Sequence, residues 1–262
     1  MPHEIFLSAI VADADVARAR ALLGGYTEMR ERHAYTRVQH YQPQDLSVKG
    51  FPTIKQVLRE PTPSNARWQE LHQILVKQPS VLHLRFDITE SVHNVMTSEA
   101  SSSAVVPADT QCVLRWTEFP EPTNPRFPFL TQRKVVEIAD QRAERILADN
   151  KFAVTSDLVE ESYHWWLNDV EYVLIRTFVF ALGPDGVPSQ EIPNLASAEP
   201  VAGFWLLYVR TRAESPSPAT LPEQIRKCQA QLEQVRGKLA GVFHFRAYDR
   251  RCHDTRIQEG PA

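Results

Sequence analysis

Asp169 and Glu171 stand two residues apart at the head of a β-rich run, 169–180, so their carboxylates share one face of a strand. On the inner wall of a barrel, such a pair could hold Mg²⁺ through its oxygens. Charges recur on other extended segments: Arg85 and Asp87, Arg115 and Glu118, Lys134 and Glu137, Arg176, His244 and Arg246. A metal-bearing carboxylate pair opposite Lys and Arg would grip a polyphosphate, and the chemistry within reach is divalent-metal-dependent hydrolysis. The plainer account makes these charges the solvated face of an antiparallel sheet whose apolar side chains turn to the core. Arg176 shares its face with Tyr172, Leu174, Phe178 and Phe180, so its guanidinium has to be paired or stacked on a ring.

Other catalytic patterns are missing. The sequence holds no HExxH, no phosphate loop and no Gly-x-Ser-x-Gly, and its histidines are scattered. No cofactor is implied. Cys112, Cys228 and Cys252 lack zinc spacing, which suits reduced thiols in a cytosolic or nuclear protein. A net charge of −3 argues against direct, nonspecific nucleic-acid binding, which needs a basic face. No apolar run reaches membrane-spanning length, and no signal peptide is expected. What stands out instead is the cluster Tyr163, His164, Trp165 and Trp166. Large aromatics are core material first, yet Trp and Tyr also dominate binding hot spots. Adjacent tryptophans on a strand face opposite ways, so Tyr163, Trp165 and Trp166 are the candidate partner-binding residues.

The elements that must position these residues are mostly strands. Extended segments are predicted over residues 4–11, 33–41, 53–58, 81–89, 112–119, 133–138, 169–180, 203–210 and 242–248. The clearest alternation sets Leu82, Leu84, Phe86 and Ile88 against His83, Arg85, Asp87 and Thr89. Residues 154–158 read as short and irregular. A helix is expected from about 14 to 23, stopped by Gly24 and Gly25, and another after Ser64 carrying Trp68, Leu71 and Leu75. Thr220 and Glu223 have capping-box spacing, ahead of a stripe of Ile225, Cys228, Leu232, Val235 and Leu239. Prolines (19) outnumber glycines (9), and because proline cannot donate to a ladder their clusters mark connections. Loops or insertions are expected near 91–109, 120–130 and 183–200, with turn chemistry at 183–188. Many strands without regular helical crossovers favour an antiparallel sheet that curls into a barrel. The expected fold is therefore α+β, mainly β: a many-stranded antiparallel β-barrel forming one domain, 1–262, with helices near the N-terminus and before the last strand.

Several blocks carry a family resemblance. They are Val135-Glu-Ile-Ala-Asp140, Leu147-Ala-Asp-Asn-Lys151, Glu161-Ser-Tyr-His-Trp-Trp-Leu167 and Asp169-Val-Glu-Tyr-Val-Leu174. They resemble the fungal type of subunit 18 of the Mediator complex. His3-Glu-Ile-Phe-Leu7, Leu22-Leu23-Gly24-Gly25, Arg32-His33 and the closing strand–helix–strand order over 203–248 agree with it. The resemblance implies a barrel akin to the triphosphate tunnel enzymes but used as a scaffold in the nucleus. It implies pairing with Mediator subunit 20, tethering by the C-terminal helix of subunit 8, and a bridge between regulators and RNA polymerase II, whether direct or indirect. The tunnel enzymes carry Glu-x-Glu on their first strand; this chain offers Glu4, then Phe6 and Ser8. The competing expectation is a polyphosphate or RNA 5′-triphosphate hydrolase using Asp169 and Glu171. A small-ligand barrel of lipocalin type is a third.

Overall fold

The computed structural model describes residues 1–97, 110–180, 182, 189, 191, 195, 198–215 and 217–257. Eight antiparallel strands close a barrel in the order β1-β5-β4-β3-β2-β6-β7-β8. They are β1 (His3–Ala12), β2 (Arg32–Pro43), β3 (Leu82–Asp87), β4 (Cys112–Thr117), β5 (Thr131–Ala139), β6 (Phe152–Leu167), β7 (Val170–Phe180) and β8 (Phe204–Ala213). Closure comes from β1 against β8, which pair along their whole length from His3↔Ala213 to Ala12↔Phe204. A closed ring leaves no free sheet edge where the ladders are complete. Two ladders stop short: β1 with β5 at Phe6↔Thr131, and β7 with β8 at Ile175↔Leu206. The upper end of the barrel is the end where β1 finishes and β8 begins.

The faces are inverted relative to the expected apolar-in, polar-out sheet. Apolar side chains point outward, where helices cover them. Helices α1 (Val16–Thr27) and α6 (Leu221–Lys238) pack Leu23, Leu232 and Val235 against Leu7, Trp165, Tyr172 and Leu207. A second cluster joins α3 (Asn65–Lys77), through Trp68, Leu71 and Leu75, to Leu84, Leu114 and Ile138. It also takes in α2 (Ile54–Val57) and α5 (Ala143–Asp149). A third, beside α4 (Thr89–Thr97), gathers Tyr35, Val92, Val159 and Phe178. Burying the outer faces under helices frees the inner faces for polar residues, because each strand alternates between the two.

Several expected boundaries are corrected. Residues 53–58 form the helical turn α2, not a strand, with Ile54 and Val57 both turned into the second cluster. Gly24 and Gly25 lie inside α1, and the left-handed stop is Glu28 at φ 55°. Residues 154–158 belong to the sixteen-residue β6. The segment 242–248 is not a strand, and only Arg246 pairs with β1, at Ser8. Helix α5 had no sequence signal strong enough to predict it. Of the expected loop 91–109, residues through Thr97 continue α4, and 98–109 lie outside the described residues, as does the turn at 183–188. Residues 120–130 are turns and irregular chain. Neither Ser64 nor Thr220 makes a side-chain cap; the Ser64 hydroxyl donates instead to Ala139 O at 3.1 Å.

Gly50 shows how tightly α3 is seated. Its φ is +66°, and a Cβ there would lie 2.7 Å from His72 Nδ1 and 2.8 Å from Val76 Cγ2. Gly50→Ala is expected to cost about 2 kcal/mol, read as a lower urea midpoint at unchanged m-value. An unchanged midpoint would show that the loop re-forms without that approach.

Candidate functional site

The inner wall carries a dense set of charged and polar side chains. Alternation aims Glu4 and Phe6 of β1, His83 and Arg85 of β3, Arg115 of β4 and Arg133 of β5 into a cavity of about 350 Å³. Glu160, Ser162 and His164 of β6 and Tyr208 and Arg210 of β8 also line it, beside apolar Val173 and Ile175 of β7. Glu4, 1% exposed, is the hub. Arg115 Nη2 donates to both its oxygens at 2.8 Å, Arg133 Nε donates at 2.9 Å, and Arg210 Nη1 lies at 3.7 Å. Burial alone would raise the Glu4 carboxyl, but the three arginines together hold it well below the usual carboxylate range.

The remaining inner charges are also neutralised in place. Glu137 takes Arg115 at 2.8 Å and Arg212 at 2.6 Å, and Glu160 takes Arg85 at 2.6 Å. The His40 and His83 rings stack with centroids 4.4 Å apart, and burial lowers the pKa of both, which keeps the pair neutral.

The two carboxylates predicted to hold a metal are separated by their roles. Glu171 faces inward, with Oε1 2.9 Å from His164 Nδ1 and Oε2 receiving Arg210 Nε at 2.6 Å. Burial would raise its pKa, but these two partners bring it down to about 2. Both its oxygens are thus taken up by nitrogen partners, one on His164 and one on Arg210. Asp169 stays in the turn ahead of β7, and it shares with Glu171 the lining of a groove at the lower mouth. Among the described residues, no group of three or more His, Cys, Asp or Glu side chains is placed to hold a metal ion. Arg176, on the outer face, is paired with Glu161 at 2.7 Å and stacked over Trp205 at 4.6 Å, as its neighbours required.

The aromatic cluster divides by strand parity. Trp165 points outward under α1 and is 0% exposed. Tyr163, 8% exposed, is also outward; it stacks on His33 at 4.4 Å and carries the Arg20 guanidinium 4.0 Å above its ring. In the isolated chain these two are packing residues, because the faces on which they lie are covered. Trp166 points inward at the lower mouth, half-buried and stacked on His164 with centroids 5.7 Å apart. It lines a groove of about 460 Å³ with Asp169, Glu171, Arg212 and Lys227.

Sequence reasoning missed Arg133, Glu160, Arg210 and Arg212 as inner residues. Their shared parity with Glu4 and His164 is a signal, but only once the register between strands is known.

A family model described as Med18 protein matches residues 3–256. The chain belongs to the Med18 family. It is thus a Mediator subunit, and its work lies in transcription. A chain in the Schizosaccharomyces pombe Mediator head module shares the fold at TM-score 0.58 and 14% identity, covering 93% of this chain and 97% of that one. Looser likenesses are to the Pyrococcus horikoshii OT3 protein PH1819 (TM-score 0.42, 12% identity, 94% of each chain). Another is to the Hippeastrum protein HpAC1, described as having a dominant triphosphatase activity (TM-score 0.43, 10% identity, 95% and 93% of the two chains). No curated protein sequence matches this Med18-family chain at a significant level.

Proposed function

We propose that this protein is a non-catalytic docking subunit of the Mediator head module, working in the nucleus as one barrel unit. It would bridge transcriptional regulators and RNA polymerase II through protein–protein contacts, with no direct nucleic-acid role. Its partners would be Mediator subunit 20, a related barrel, and the C-terminal helix of subunit 8. The observation that carries the reading is the saturated inner wall. The carboxylates best placed to bind a metal, Glu4 and Glu171, are already spent on arginine and histidine. A barrel whose inner charges cancel one another is suited to rigidity rather than turnover. Trp166, with Asp169 and Lys227 beside it, is the proposed contact region, since its ring is partly open and its surroundings carry both signs of charge.

Affinity purification of the tagged chain from its native cell is expected to bring down Mediator subunits. Co-expression with subunits 20 and 8 is expected to raise its soluble yield several-fold. Equal yield alone and together, with no Mediator subunit recovered, would defeat the proposal. A phosphate-release assay on triphosphate and RNA 5′-triphosphate with Mg²⁺ or Mn²⁺ separates it from the hydrolase. Turnover lost in Asp169→Ala or Glu171→Ala would establish the hydrolase instead.

A further inference from the structure

Beyond α6 the chain returns over the upper rim, where β5 stops six residues short of the end of β1. Arg246 N donates to Ser8 O at 3.0 Å, on the edge of β1 that β5 leaves unpaired. Residues 248–257 then cross to the start of β3. There Val81 N donates to Thr255 O at 2.7 Å and Ile257 N to Pro79 O at 2.9 Å. Midway, Arg250 Nε donates to Pro120 O at 2.7 Å, and the Thr255 hydroxyl to Thr117 O at 2.9 Å. The Phe119 ring receives two guanidiniums, Arg250 at 4.4 Å and Arg256 at 4.0 Å. His253 dips into the mouth and meets Phe6 edge-on, with centroids 5.6 Å apart.

The hold of this strap on the barrel is weak for its length. No residue from 248 to 257 is fully buried. Its ion pairs, Arg251 with Asp249 and Arg256 with Asp254, are internal and tie nothing to the barrel. The Tyr248 hydroxyl and His253 Nε2 are buried with no hydrogen-bond partner among the described residues, and each such group opposes docking. All eight strands close without the strap. A segment with few buried contacts and unsatisfied polar groups belongs to the low-stability end of a fold.

We propose that the surface beneath the strap is a docking site for an extended, arginine-bearing segment of a partner protein, and that the strap is its resident occupant. The strap itself shows what fits: main-chain pairing to residues 79–81, an arginine stacked on Phe119, and a ring against Phe6. A partner segment displaces the strap by making the same bonds without the two orphaned groups. This rests on the reading of the protein as a binding subunit, but its test needs no Mediator partner, so the two can fail separately.

In the intact chain, hydrogen exchange at the Val81 and Ile257 amides is expected to run at least a hundredfold faster than at β6 amides paired on both sides. A chain ending at Ala247 keeps Phe243 and Phe245 and is expected to melt cooperatively. The peptide 248–257, carrying Cys252→Ser, is expected to bind that shortened chain saturably in calorimetry. It should bind the intact chain at least tenfold more weakly, since the strap competes. The same peptide with Arg250→Ala and Arg256→Ala should lose at least tenfold on the shortened chain. Equal exchange at the strap and β6 amides, loss of folding on shortening, or indifference to the two arginines would each overturn the proposal.

Discussion

Glu4→Ala is expected to lower unfolding free energy by about 3–5 kcal/mol, the cost of breaking a buried ionic cluster by removing one side. The reason is arithmetic of charge. Arg115, Arg133 and Arg210 converge on one carboxylate that is 1% exposed. Without it, three guanidiniums face one another across the cavity; Glu137 still serves Arg115 and Glu171 still serves Arg210, but Arg133 loses the one ion pair it makes among the described residues. Glu4→Gln keeps the shape and removes the charge, so an intermediate loss is expected. The acid limb follows from the depressed pKa. Because the folded carboxyl titrates below its unfolded value, its stabilisation is full above the unfolded pKa. It is lost as pH falls from there through the folded pKa. Urea unfolding from pH 7 downward should show the native chain losing stability more steeply than Glu4→Gln. A Glu4→Ala chain within about 1 kcal/mol of native at pH 7 would mean that solvent screens the cluster.

The second large effect separates two neighbouring tryptophans. Trp165→Ala is expected to cost about 3–5 kcal/mol, because a ring that is 0% exposed would be replaced by a cavity. Trp165→Phe should be far milder, since the indole N–H it removes has no hydrogen-bond partner among the described residues. Trp166→Ala should change stability by under about 1 kcal/mol, as the ring is half-buried at the lower mouth. On the proposed function it should nonetheless reduce recovery of Mediator partners at least several-fold. Matched urea curves and co-purification of the three variants decide the matter. If Trp166→Ala binds like the native chain, the lower mouth is not the contact.

The barrel was legible where one face is uniformly apolar. Residues 82–89 alternate without exception, and the stripe on α6 has one sensible orientation. Thr53–Leu58 misled because four apolar or β-prone residues in six fit a strand or a helical turn equally well. Ile54 and Val57, three apart, take the helical spacing in the fold. The strand expected at 242–248 has the right alternation, but at Ser8 the free edge of β1 offers it a single pairing. Which face of each strand looks inward could not be read from one sequence. Arg85 and Arg210 come from strands far apart in the chain, and only closure puts both on the inner wall. Glu4 was visible as a lone acid on the first strand, but its three partners belong to β4, β5 and β8.

Pairing of the first strand with the last has a bearing on biosynthesis. On the ribosome β1 emerges early, yet β8, which closes the ring against it, ends only at Ala213. The contacts of Glu4 span 111 residues to Arg115 and 129 to Arg133, so loop closure precedes any reward from them. Until Lys238 has cleared the exit tunnel, the nascent chain carries Ile5 and Leu7 without the full set of β8 and α6 side chains that finally cover them. That interval is one of exposure to aggregation, in which a holding chaperone is of most use.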